Sequence, residues 1–142
     1  MRLGEAECLD RLAQADHGVL STVHPERVID SVPACFAVDG RHLFVPVDLV
    51  KPKVSTTLRR AANLAREPRA TLLCERWDPD DWSRLFWVRV HLVWLADGTL
   101  DDTAVRRAGA LLREKYVQYR SDPFAGILAF RIDDITGWSA GD

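Results

Sequence analysis

Lysine is scarce in this 142-residue chain, with three against sixteen arginines. Cysteine is scarce too. Cys8, Cys35 and Cys74 are odd in number, widely spaced and never in a C-x-x-C, which argues against a disulfide framework or a zinc ribbon and for a reducing cytoplasm. His17, His24, His42 and His91 never pair at ligand spacing, so no metal site is expected. No apolar run approaches the ~18 residues of a membrane span. Met1 to Glu5 lacks the apolar start of a signal peptide, so none is predicted. Absent as well are G-x-G-x-x-G, the phosphate-binding G-x-x-x-x-G-K-[ST] and the G-x-S-x-G that would activate Ser21. The carboxylate pairs Asp80-Asp81 and Asp101-Asp102 read as loop and helix-cap acids. With neither a nucleophile nor a tuned acid/base pair in view, an enzymatic role would draw its reactivity from a bound cofactor.

What is present is an ordinary globular mixture of 47% hydrophobic and 28% charged residues, long enough for one domain, 1–142, with its own core. No internal repeat or linker divides it. The formal net charge of −2 argues against a broad polyanion partner, whether nucleic acid or an anionic membrane. That charge is unevenly spread. Lys51 to Arg69 carries six cations and one acid, a local +5 that leaves −7 elsewhere.

The apolar periodicity predicts a helix over Glu5–Ala15, strands over 18–23, 28–38 and 41–47, and a helix over Val54–Arg66. Strands over 70–77 and 85–96, a helix over Asp101–Tyr119 and a strand over 126–138 follow. Consecutive strands joined by short turns, such as Asp39-Gly40, cannot be parallel. The expected architecture is mainly β with peripheral helices: a small six-stranded antiparallel barrel.

Two constellations could carry chemistry. Lys51 and Lys53 precede a helix start, where unsatisfied amides favour an anion, and Arg59, Arg60 and Asn63 follow within its first turns. A solvated helix face is the alternative. The second is aromatic. Four of the five tryptophans fall between Trp77 and Trp94, around an acidic loop. On the strand there, Leu85, Trp87, Arg89 and His91 share one face, and Phe86, Val88, Val90 and Leu92 the other. The Trp- and Arg-bearing face suits a cleft wall or a subunit interface, with a core or dimer-core role for the tryptophans as the alternative.

The order of elements and several segments resemble the pyridoxamine 5′-phosphate oxidase-like split β-barrel family, most of all its actinobacterial branch of coenzyme F420 (deazaflavin)-dependent enzymes. The segments are Val32–Gly40 (VPACFAVDG), Val47–Lys53 (VDLVKPK), Asn63-Leu64 with Pro68-Arg69, and Asp80–Val90 (DDWSRLFWVRV). The Arg-rich, Ala-rich composition suits a GC-rich actinobacterial genome. The resemblance implies a homodimer with the cofactor, F420 or alternatively FMN, between subunits. It implies a phosphate held by Lys51, Lys53 and Arg60 with Arg59 and Asn63 beside them, and a ring lying along Ser31, Val32 and Pro33. Trp82, Trp87, Arg89 and Trp138 would line the small-molecule substrate cleft. Two positions depart from the pattern. Arg60 stands where relatives often carry Lys, and the bulky His91–Leu95 replaces a small, Gly-containing continuation.

These readings meet in hydride transfer between reduced deazaflavin and an unsaturated or quinone-like acceptor, the chain supplying orientation, charge and water exclusion. A non-catalytic F420, FMN or haem-like ligand binder is the second reading. A single-strand nucleic-acid module is the third, with the net charge and the acidic loop against it.

Overall fold

The computed structural model describes residues 1–48, 54–121 and 124–141. Its elements, in chain order, are α1 (Glu5–Gln14), β1 (Gly18–His24), β2 (Val28–Ala34), β3 (Ala37–Asp39), β4 (His42–Asp48), α2 (Val54–Arg66), β5 (Arg69–Arg76), β6 (Phe86–Leu95), α3 (Asp102–Lys115), α4 (Gln118–Ser121) and β7 (Phe124–Ser139). All ladders are antiparallel, and the sheet order is β2-β1-β5-β6-β7-β4-β3.

Seven strands stand where six were expected, in an open hydrogen-bonded sheet rather than a closed six-stranded barrel. The run 28–38 is the reason. Its first part pairs with β1, its last part pairs with β4, and between them the chain changes edge at Cys35 and Phe36. β2 and β3 are thus the two outer strands of the sheet, yet only two residues separate them. Three Cα steps span at most ~11 Å, so the sheet must curl until its edges nearly meet. The chain closes this seam covalently. Phe36 plugs it, fully buried.

Two side chains of the α3 end fasten the seam. The Tyr116 hydroxyl accepts from the Phe36 amide at 3.1 Å and lies 2.7 Å from the Asp16 carbonyl, to which it donates. The Lys115 ammonium donates to the Phe36 carbonyl at 2.9 Å and sits 3.9 Å from the Phe36 ring centroid. Burial lowers the Lys115 pKa. Reaching these partners puts Tyr116 in an extended conformation (φ −117, ψ 108), which ends α3 at Lys115 and breaks the single long helix expected to Tyr119.

The core lies inside the curl. Leu20, Leu43, Leu72, Val90 and Phe130 meet there, with α1 sealing one end through Cys8 and Leu12 and α2 adding Leu64. Gly137 permits the close approach of α1: a Cβ there would stand 2.8 Å from Cys8 Sγ and 3.0 Å from the Trp87 carbonyl oxygen. Phe86, Val88, Val90 and Leu92 face the core and Trp87, Arg89 and His91 face out, as the alternation predicted.

The turn from β1 to β2 is strained. His24 Nδ1 accepts from the Glu26 and Arg27 amides, both at 3.0 Å, and Val28 is forced to φ 72. A β-branched residue in this left-handed region costs about 1–2 kcal/mol. Val28 is 69% exposed, so it has little packing to lose. Val28→Gly is therefore expected to stabilise the protein by roughly 1 kcal/mol, raising Tm by about 4 °C in a thermal melt. An unchanged or lower Tm would show that the turn is not strained.

Candidate functional site

β2 is an edge strand, so part of its backbone has no ladder partner on the side away from β1. A groove of about 280 Å³ runs there, lined by Arg27, Asp30, Ser31, Val32, Arg59 and Arg60. Three guanidinium-bearing residues converge on it against one carboxylate. The carboxylate is engaged. Arg27 donates to Asp30 through Nε and Nη2, each at 3.0 Å, in a bidentate pair. Asn63 Nδ2 donates to Asp30 Oδ2 at 3.0 Å and to Thr22 Oγ1 at 3.1 Å. Both partnerships hold the Asp30 carboxyl below its usual range, the Arg27 bond first and the Asn63 bond second.

Ser31, Val32, Arg59 and Arg60 of the expected cofactor site are therefore brought together. Pro33 lies two residues on from Ser31, on the outer face of β2. Asn63 has a different place. It is 1% exposed, and its amide ties α2 to β1 and β2 from below the groove. Lys51 and Lys53 lie outside the described residues. Arg27 and Asp30 went unnoticed in the sequence. Their signal was a cation and an acid three residues apart, flanking a turn that sets them side by side.

The aromatic group does not join this groove within one chain. Trp87 and Trp138 are directly opposed across β6 and β7, and the Arg89 guanidinium lies 5.2 Å from the Trp87 ring centroid. Trp82 is in a short 3₁₀ turn, Trp82–Arg84, capped by Asp81, and packs on Trp77 at 5.8 Å between centroids. Ser31, Ser21, Thr71 and His91 form one row across the sheet, so about three strand spacings of ~4.8 Å separate the first from the last. Trp87 is four residues further along β6, roughly 20 Å from Ser31 over the surface.

That surface is the outer face of β2, β1, β5 and β6, which no other described element covers. Val19, Val23, Ile29 and Leu73 are 37–57% exposed on it. A second pocket, of about 460 Å³, lies on the same face over Ser21, Thr71, His91 and Asp134.

Burial raises the Cys8 thiol pKa and pushes Cys74 up to about 12, so both stay protonated at neutral pH. Among the described residues no three His, Cys, Asp or Glu side chains gather to hold a metal ion, and no helix is long and apolar enough to cross a membrane.

The curled sheet, sealed by α1 and edged by a cationic groove, is the fold of the split-barrel proteins related to pyridoxamine 5′-phosphate oxidase. Solved structures bear this out. A conserved hypothetical protein of Mycobacterium tuberculosis matches with TM-score 0.71 and 20% identity, over 97% of this chain and 86% of its own. A FAD-binding protein of Mesorhizobium loti matches with TM-score 0.65 and 16% identity, over 96% and 93%. A candidate pyridoxamine 5′-phosphate oxidase of Corynebacterium glutamicum matches with TM-score 0.58 and 16% identity, over 98% of each. At these identities the likeness is one of fold. No protein-family model and no curated protein matches the sequence.

Proposed function

We propose that this chain is a flavin-type oxidoreductase that uses coenzyme F420, with FMN as the alternative cofactor, and works as a cytoplasmic homodimer. The observation that carries the reading is the cationic groove along the free edge of β2 in a split barrel. Its residues fit a phosphate-bearing heteroaromatic group. Arg59 and Arg60, which line the groove, would hold the phosphate, and Lys51 and Lys53, outside the described residues, would be its further cations on the sequence alone. The unladdered backbone from Ser31 to Pro33 would meet the polar edge of a planar ring.

When bound, the reduced deazaflavin supplies the hydride. The chain's own part is to orient, to screen from water and to neutralise charge. Trp87, Arg89 and Trp138, some 20 Å from the groove in one chain, would line the substrate side from the partner subunit, with Trp82 near them. No acid/base pair is needed if solvent supplies the proton to an unsaturated or quinone-like acceptor.

A second reading has its own support. The absence of a tuned acid/base group among the described residues suits a non-catalytic cofactor carrier equally well. A haem-binding protein of Mycobacterium smegmatis shares the fold, with TM-score 0.66 and 13% identity over 94% of this chain and 57% of its own.

Titration of the purified protein with oxidised F420 and with FMN, read by ligand fluorescence, tests the proposal. Micromolar or tighter binding of F420 is expected. Lys53→Ala and Arg60→Ala should each weaken it by about 1–3 kcal/mol, the worth of a charged hydrogen bond, and more so at low salt. Binding of neither ligand would overturn both readings, and turnover with an enone or quinone panel separates enzyme from carrier.

A further inference from the structure

The cations of the groove do not all come from α2. Arg27 approaches from the β1–β2 turn, just before the strand that forms the other wall. A guanidinium has five N–H donors. Asp30 takes two of them, through Nε and Nη2. The rest have no partner among the described residues, and the Arg27 side chain remains 52% exposed. Arg27 is also fixed before any ligand arrives. Its position is set by the His24-bound turn, by the left-handed Val28 and by an Asp30 that Asn63 anchors from beneath. A pre-oriented fork loses less entropy on binding than a free side chain. The groove's volume of about 280 Å³ lies at the low end of small-ligand sites, room for a charged head and its neighbour.

The geometry points to Arg27 as a specificity residue: it takes a second anionic group next to the phosphate held by Arg59 and Arg60, so the groove selects cofactors carrying two or more anionic groups over those with a lone phosphate. This rests on the cofactor reading above and deepens it. Asp30 acts as the positioning residue for Arg27, which in turn matches its charge.

The test uses the full chain with F420, which bears a phosphate and a glutamate tail, and FMN, which bears one phosphate. Arg27→Gln is expected to weaken F420 at least tenfold and to flatten its salt dependence, with FMN affinity changed less than threefold. Arg60→Ala should weaken both ligands. Arg27→Lys, which keeps the charge, should retain most of the F420 affinity and guards against a folding defect in the Gln variant. Equal F420 affinity in Arg27→Gln and wild type, with Arg60→Ala weakened, overturns the role of Arg27 and leaves the cofactor groove standing. An equal loss for both ligands in Arg27→Gln also overturns it, because Arg27 would then share the one phosphate. Failure of the wild-type protein to bind either ligand overturns groove and inference together.

Discussion

Leu73→Glu is expected to give a 16.0 kDa monomer and to abolish the dimer proposed for the wild-type chain. One face of the sheet has the core and its helices. The other, over β2, β1, β5 and β6, exposes Ile29, Val23, Val19 and Leu73 with no element above them among the described residues. Val19 pairs with Leu73 and Val23 with Ile29 on either side of the polar Ser31-Ser21-Thr71-His91 row, so the face carries two exposed apolar pairs flanking a polar strip, a mixture suited to a subunit interface. A twofold dimer presents the same patch from both sides, so one substitution places two carboxylates in the interface. Burying unpaired carboxylates costs several kcal/mol, enough to weaken the dimer by more than a hundredfold. Cofactor affinity should fall with it, since Trp87, Arg89 and Trp138 would no longer face the groove of a second copy. Sedimentation at micromolar concentration decides the matter, and a monomeric wild-type protein would sink the dimer.

The second large effect belongs to Asn63. Asn63→Leu leaves the buried Thr22 hydroxyl without its donor and removes one of the two holds on Asp30. An unsatisfied buried polar group costs about 1–3 kcal/mol, so Tm should drop by roughly 4–10 °C in a thermal melt. F420 affinity should fall as well, because α2 loses its tether to β1 and β2. Asn63→Asp should be worse, since it sets a carboxylate against Asp30. A Tm within 1 °C of wild type for both variants would contradict this role. The network also has a pH signature. Because the folded pKa of Asp30 is depressed, its stabilisation is fully present above the unfolded value of about 3.9 and is lost as pH falls through the lower folded value. The Tm gap between wild type and Asp30→Asn should therefore be open at pH 6 and narrow steadily as the pH is taken below the unfolded carboxyl value.

Much of the fold was legible because local patterns decide it. The alternation in β6 set its inner and outer faces, and Asp39-Gly40 marked a turn where Gly40 takes φ 60. The split of 28–38 was not legible. Ala34-Cys35-Phe36 carries no turn signal, and only the distant partners β1 and β4 make the chain change edge there. The break at Tyr116 has a similar origin in bonds to Asp16 and Phe36, about 80 to 100 residues away. In the site, the cationic run Lys51–Arg69 identified Arg59 and Arg60, because charge density survives without tertiary information. Asn63 misled for the opposite reason. Spacing of three put it beside Arg60, while its buried partners Thr22 and Asp30 come from strands that spacing cannot see. Arg27 was hidden inside what read as a plain turn.

The two-residue seam between β2 and β3 has a kinetic consequence. Beside the local pairs β1-β2, β3-β4 and β5-β6, the sheet is joined by pairings distant in the chain: Val19 pairs with Leu73, and Leu43 with Phe130. The Cys35-Phe36 link closes correctly only once both long loops have been drawn in. Large loop-closure entropy precedes any reward from the pairing, which places folding on the millisecond-to-second scale of non-local β topologies. The payoff comes afterwards, when the two free strand edges lie against each other's end of the same chain and offer less template for a neighbouring molecule.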